Sequence, residues 1–172
     1  MGYHVVITGP MGSGKTAVGT RLAQARGMRF CDSDDALLAA TGRNAREIAA
    51  VDGVLHLHQL EHRFIVGSIG AGDARVIAAA ASIADDPSLL RGIVADGHTL
   101  IMLDVAVPEQ GLRLPADHRR PVSDEEARRL HRARLRNAEE AGASIVYAGD
   151  GIEDALSAIL AQLDGSTPRS SN

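Results

Sequence analysis

The segment that most constrains this chain is a β-branched run, Tyr3-His-Val-Val-Ile-Thr8, passing directly into Gly9-Pro-Met-Gly-Ser-Gly-Lys15-Thr16. The octamer satisfies G-x-x-x-x-G-K-[ST] at every position, and Val18, Leu22 and Ala25 then recur at helical spacing before Gly27. A phosphate-binding loop requires this placement between a strand and a helix. Its glycines let backbone N–H groups curl around phosphate oxygens where a Cβ would block the approach. Lys15 can reach the β- and γ-phosphates, and the Thr16 hydroxyl is placed to ligate Mg²⁺. The candidate triphosphate-binding residues are therefore Gly9, Met11, Gly12, Ser13, Gly14, Lys15, Thr16 and Ala17. Lys15 is also the only lysine in the chain, so a lysine-rich composition does not explain its place in the loop. ATP with Mg²⁺ is the expected ligand pair.

The remaining sequence continues the alternation of apolar strands and amphipathic helices. Strands are expected over 28–31, 74–80, 99–105 and 144–147. Helices are expected over 35–40, 44–51, 55–69, 86–95, 123–141 and 151–163. The helix from 123 opens on Ser123-Asp-Glu-Glu126, the spacing of a capping box. Strands alternating with helices predict an α/β, three-layer architecture: a five-stranded parallel sheet, helices on both faces, right-handed crossovers. Ligands in such sheets sit beyond the carboxyl ends of the strands, where the loop after strand one and Asp32-Ser-Asp34 after strand two meet.

With 172 residues, a single domain over 1–164 accounts for the pattern, and the small polar stretch 165–172 reads as a disordered tail. A net charge of −4 and only four aromatics (Tyr3, Phe30, Phe64, Tyr147) argue against a nucleic-acid surface. No apolar run reaches the length of a membrane span, and no secretory signal precedes the first strand. Cys31 stands alone, so no internal disulfide can form, and a reducing cytoplasm is the expected setting. The expected partner is a small-molecule hydroxyl acceptor, with the protein a monomer or weak dimer.

Asp32 and Asp34 close the second strand, two residues apart. In an extended or tightly turned segment they point the same way, one toward a metal–phosphate cluster and one toward an acceptor hydroxyl. An Asp-rich turn capping the next helix is the competing reading. Together with Gly19, Leu22-Ala23, Thr41-Gly42-Arg43, Glu47-Ile48, Asp52-Gly53, Glu61 and Arg120-Pro121, these residues make the chain resemble the shikimate kinase family over most of 3–163. The resemblance implies a P-loop kinase fold that transfers the γ-phosphate of Mg·ATP. It gives Thr16 and Asp32 to the metal, and it assigns the hold on the acceptor hydroxyl, with its deprotonation, to Asp34. It also implies a lid over about 111–123 whose Arg120 reaches the phosphates, and an Arg113 packed near the adenine. Lys15, Asp34 and Arg120 are thus the catalytic candidates.

The acceptor side departs from that pattern. His58 stands where the family carries an arginine that grips the substrate carboxylate. Ala78-Ala-Ala-Ala81 replaces a triple glycine, placing Ala79 and Ala80 against the acceptor with Glu61 and His58. A second carboxylate-binding arginine would fall near Glu140-Ala141. An arginine fork makes bidentate, charge-assisted bonds that a neutral histidine or an alanine cannot. Losing two such contacts costs roughly 3–6 kcal/mol. The expectation is a kinase of a polyol, cyclitol or sugar acid rather than of shikimate. A true shikimate kinase using other arginines (Arg43, Arg46, Arg63 or Arg132) is one alternative. A nucleotide-binding regulatory module without transfer activity is the other. In the run 128–136, charged residues on both sides favour a solvated helix face, with Arg132 or Arg136 available to turn inward. His56, His58 and His62 lack the H-E-x-x-H order of a zinc helix, so His58 is better read as a hydrogen-bonding group in the acceptor pocket.

Overall fold

The computed structural model describes residues 2–105, 123–149 and 151–165. Five parallel strands form one sheet: β1 (Val5–Thr8), β2 (Arg29–Asp32), β3 (Arg75–Ala78), β4 (Thr99–Asp104) and β5 (Ser144–Tyr147). Their spatial order is β2-β3-β1-β4-β5, with Val6 paired to Ile77 on one side and Leu100 on the other. The helices are α1 (Lys15–Arg26), α2 (Ser33–Thr41), α3 (Ala45–Asp52), α4 (Val54–Ile69), α5 (Pro87–Ala95), α6 (Asp124–Glu140) and α7 (Ile152–Gly165). The α/β architecture expected from the sequence is the one observed.

Alternation along each strand divides the core into two layers. Val5 and Ile7 pack with Val18 and Leu22 of α1 and Ile159 of α7 on one face. Val6, Ile77, Leu100 and Met102 pack on the other with Ile65 of α4, Leu90 of α5 and Ala138 of α6. A small satellite of Leu37, Ile48 and Leu57 holds α2 and α3 against α4. None of these helices is long and apolar enough to cross a membrane.

β1 begins at Val5 rather than 3 and α7 runs to Gly165 rather than 163; two further differences lie at the carboxyl edge of the sheet. Helix α2 begins at Ser33 rather than 35, because the Asp32 carboxylate caps it by accepting from the Asp34 N–H. Asp34 therefore sits in the first helical turn, not on an extended segment. Strand β3 ends at Ala78 rather than 80, and a 3₁₀ segment, Ala81–Asp85, follows. The chain leaves the sheet there after a last ladder bond, Ala79 N–H to Ile7 O, at 2.8 Å. The Ser123 hydroxyl accepts from the Glu126 N–H at 3.2 Å, capping α6 where the sequence spacing placed a cap. The expected lid and the tail beyond Gly165 lie outside the described residues.

Candidate active site

The chain leaves β1 toward the face covered by α1, whereas the chains leaving its neighbours β3 and β4 pass to the face covered by α5 and α6, so the loop after β1 opens at a switch point. Gly9 has φ +150°, and a Cβ there would lie 2.6 Å from the Leu103 carbonyl oxygen, so only glycine lets the loop pass β4. Gly14 caps α1 without a side-chain contact, leaving the first helical N–H groups directed out of the helix. The Ser13 hydroxyl is buried with no hydrogen-bond partner among the described residues. The Lys15 ammonium donates to Gly9 O at 2.9 Å and Pro10 O at 3.0 Å, folded over its own loop. Met11 forms an exposed lip, and Ala17 lies half-buried in the first turn of α1. An orphaned hydroxyl, a glycine cradle and a helix N-terminus fit a triphosphate.

The hard-oxygen side is assembled by α1 and β2. Thr16 Oγ1 donates to Asp32 Oδ2 at 2.7 Å, while Asp32 Oδ1 accepts from the Asp34 N–H at 2.8 Å. The Asp32 carboxylate thus orients the Thr16 hydroxyl and caps α2 at once, which meets the capping reading of the Asp pair and leaves the carboxylate beside the loop. A hydroxyl beside a carboxylate, next to the phosphate cradle, is a donor set suited to Mg²⁺. Partial removal from water raises the Asp34 pKa above the ordinary carboxylate value; Asp32 adds to the rise and Lys15 opposes it. Burial lowers the Lys15 pKa, against the nearby charges of Asp34 and Asp32.

The acceptor side contains residues that the sequence pattern named and others it did not. Glu61 is buried on α4 and receives a short hydrogen bond from the Ser82 hydroxyl. Ala79 is buried and Ala80 half-buried at the exit of β3, and the Thr8 hydroxyl donates to Ala80 O at 3.0 Å. His58 is half-buried and lines an open groove of about 430 Å³ with Gln59, His62 and Arg63 of α4. Among the described residues no group of three His, Cys, Asp or Glu side chains is gathered around a metal position.

The position expected for a second arginine, near Glu140-Ala141, proves empty of one: Glu140 is exposed, and Ala141 caps α6 against the core. Arg132 and Arg136 also point to solvent, Arg43 pairs with Asp52 at 2.6 Å, and Arg46 and Arg63 are exposed. Arg134 instead is turned inward. It is 7% exposed, and its charge is felt at Lys15. Its Nε and Nη2 donate to Asp85 Oδ1 and Oδ2 at 2.7 and 2.6 Å. The inward stripe of α6 runs Arg134, Ala138, Ala141, the i, i+4, i+7 rhythm of a buried helix face. That rhythm, followed back from the two alanines, was the sequence signal for Arg134. One turn before it, His131 Nε2 meets Asp104 Oδ1 at 2.8 Å, at the end of β4. Ala148, Gly151 and Ile152 carry no motif; with Gly12, Ser13 and Gly14 they line a cleft of about 200 Å³ beside the loop. Arg113 and Arg120 lie outside the described residues.

A five-stranded parallel sheet in this order, with a phosphate loop leaving its central strand, defines a P-loop nucleotide-binding α/β protein. The family model described as "Shikimate kinase" matches residues 11–163. A shikimate kinase 2 of Sodalis glossinidius is 33% identical over 171 residues, covering 95% of this chain and 97% of that protein. A Synechococcus elongatus shikimate kinase is 34% identical over 130 residues, and the match spans 73% of this chain but 65% of that relative's length. Among solved structures, a shikimate kinase from Acinetobacter baumannii in complex with shikimate superposes with a TM-score of 0.81 at 22% identity, covering 98% and 97% of the two chains. The chain belongs to the shikimate kinase family.

Proposed function

We propose that the protein transfers the γ-phosphate of Mg·ATP to a hydroxyl of a small polyhydroxylated metabolite, a polyol, cyclitol or sugar acid, rather than to shikimate. The observation that carries this reading is the contrast between the two halves of the site. Loop, Lys15, Thr16, Asp32 and Asp34 form one linked cluster, whereas His58, Ala79 and Ala80 stand on the acceptor side.

Gly9, Met11, Gly12, Ser13, Gly14 and Ala17 would surround the triphosphate, with Lys15 unfolding from its loop carbonyls to the β- and γ-phosphates. Thr16 and Asp32 would hold Mg²⁺, which neutralises charge on the phosphoryl oxygens. Asp34 accepts a hydrogen bond from the acceptor hydroxyl and takes its proton as the hydroxyl oxygen bonds to the γ-phosphorus. The bond from that phosphorus to the bridging oxygen breaks in the same step, and ADP departs. The raised pKa of Asp34 suits a base that must hold a proton briefly. Arg120 would close over the transferring group and Arg113 would lie by the adenine, in a lid that excludes water. Cys31 is half-buried at the end of β2 and takes no part; its lone thiol agrees with a reducing cytoplasm. A monomer or weak dimer suffices, because every residue used comes from one chain.

Transfer to shikimate itself is the second reading, favoured by relatives named for that activity and by the buried guanidinium of Arg134 on α6. A regulatory nucleotide binder is a third, disfavoured because binding alone has no use for Asp34. A coupled ADP-release assay with Mg·ATP, shikimate and a panel of polyols, cyclitols and hydroxy acids separates them, with Lys15→Ala as the blank. Turnover of a panel member well above shikimate is expected. Preferential turnover of shikimate contradicts the proposal, and ATP binding without any acceptor-stimulated release favours the regulatory module.

A further inference from the structure

The buried guanidinium of Arg134 already holds a carboxylate supplied by its own chain. Asp85 engages it through Nε and Nη2 in a two-point fork, the geometry by which an arginine would seize a carboxylate on a substrate. The charges acting on Lys15 are those of Asp34, Asp32, Arg134 and Glu61, and the 3₁₀ segment that carries Asp85 also meets Glu61 through Ser82. Two cations, Lys15 and Arg134, therefore face four carboxylates once Asp85 is counted, and one of those cations is needed for the phosphates.

The pair is asymmetric. The Arg134 side chain is 9% exposed, whereas that of Asp85 is 37% exposed. Arg134 is fixed in the inward stripe of α6, and Asp85 is the partner that reaches it from the rim. Its position there is not accidental. The 3₁₀ segment carrying Asp85 is tied to α6 by Asn137 Nδ2 to Ala84 O at 2.9 Å, and to α4 by the Ser82–Glu61 hydrogen bond. A carboxylate so anchored need lose little side-chain freedom to stay on the guanidinium.

Building on the phosphotransferase reading above, we infer that Asp85 sets acceptor specificity: it occupies Arg134 as an internal carboxylate, so the pocket selects uncharged polyhydroxyl acceptors and rejects those bearing a carboxylate. An acidic acceptor must displace Asp85 before it meets Arg134, and the displaced charge then stands beside it. A polyol or cyclitol makes no such demand, which narrows the substrate class and removes the sugar acids.

The test measures binding of shikimate and of its uncharged methyl ester, by titration calorimetry in the presence of Mg·ADP, to the unmodified protein and to Asp85→Asn. The amide keeps the size of the carboxylate but ends the ion pair. The acid-to-ester affinity ratio should rise about tenfold or more in Asp85→Asn, and the rise should vanish in Asp85→Asn combined with Arg134→Met. An unchanged ratio in a variant whose melting curve shows it folded overturns the inference. Should Asp85→Asn not fold, Asp85→Ser is read the same way, and the unmodified protein decides alone: preference for the acid over the ester overturns the inference, and preference for the ester supports it. The phosphotransferase reading is tested separately, by transfer from Mg·ATP in the unmodified protein. It can fail while the ratio still rises, or hold while the ratio stays flat.

Discussion

Thr16 Oγ1 donates to Asp32 Oδ2 at 2.7 Å, a bond that ties the first turn of α1 to the end of β2 across the mouth of the phosphate loop. The same carboxylate caps α2 through the Asp34 N–H. One side chain therefore fixes the Thr16 hydroxyl, proposed above to meet Mg²⁺, and the first turn that carries Asp34.

Replacing Asp32 should separate those two tasks. Asp32→Asn keeps an acceptor for the Asp34 N–H, so helix α2 should persist with a loss of about 1 kcal/mol or less. The negative charge beside the metal position is gone, and the Mg²⁺ concentration for half-maximal activity should rise about tenfold. A Mg²⁺ titration of ADP release reads this, and an unchanged midpoint would remove Asp32 from the metal side.

Asp34→Asn should leave ATP affinity within about twofold and lower transfer by roughly 10² to 10⁴. The folded pKa of Asp34 is raised, so ionising it opposes folding: its contribution to stability is full below the unfolded value of 3.8 and is lost as pH rises through the folded value. At pH 7 the Asn variant should thus melt no lower than the unmodified protein, despite losing activity. Activity of the unmodified protein should also fall on the acid side at a higher pH than an ordinary carboxylate would give. A variant that turns over normally would remove Asp34 from the acceptor side.

Gly19 on α1 lies flat against Phe30 of β2; a Cβ there would meet the ring at 2.6 Å. Gly19→Ala should therefore cost about 1–3 kcal/mol, against the usual gain in helix propensity from glycine to alanine. Thermal unfolding should show a drop of several degrees, and an unchanged or higher midpoint would mean the ring moves aside freely.

At the opposite edge of the sheet from the active site, His4 and His98 meet edge to face with centroids 4.7 Å apart, both buried. Burial lowers the His98 pKa first and His4 second, with Asp96 opposing. A depressed folded value means the unfolded chain binds the proton more readily. Stability should therefore be full above the ordinary value of 6.5 and decline as pH falls from there toward the depressed one. His98→Gln should flatten denaturant midpoints measured between pH 7 and 5; an undiminished slope would assign the pH dependence elsewhere.

The strands, the loop and most helix limits were legible because their determinants are local: a β-branched run, a glycine turn, a cap beside an apolar stripe. The nucleotide half of the site shares that property, since residues 9–17 form one segment and Asp32 closes the strand next in sequence. The acceptor half does not. Arg134 and Asp85 stand 49 residues apart, and neither carries a motif; only the packing of α6 on the 3₁₀ segment brings them together. Ala79 and Ala80 looked like strand because alanine is silent about where a ladder ends, and the turn into the 3₁₀ segment depends on contacts with β1 and α6. His58 stands at a fixed offset from a motif, yet its neighbours are set by the fold.

The central claim is that an intact Mg·ATP half serves an acceptor pocket without a free carboxylate grip. Titrating shikimate into the unmodified protein saturated with Mg·ADP tests it most directly. The account predicts a Kd above about 1 mM, weaker than −4.1 kcal/mol, with a polyol or cyclitol binding more tightly under the same conditions. Saturation by shikimate at a few tens of micromolar, with Asp85 and His58 unaltered, would contradict it.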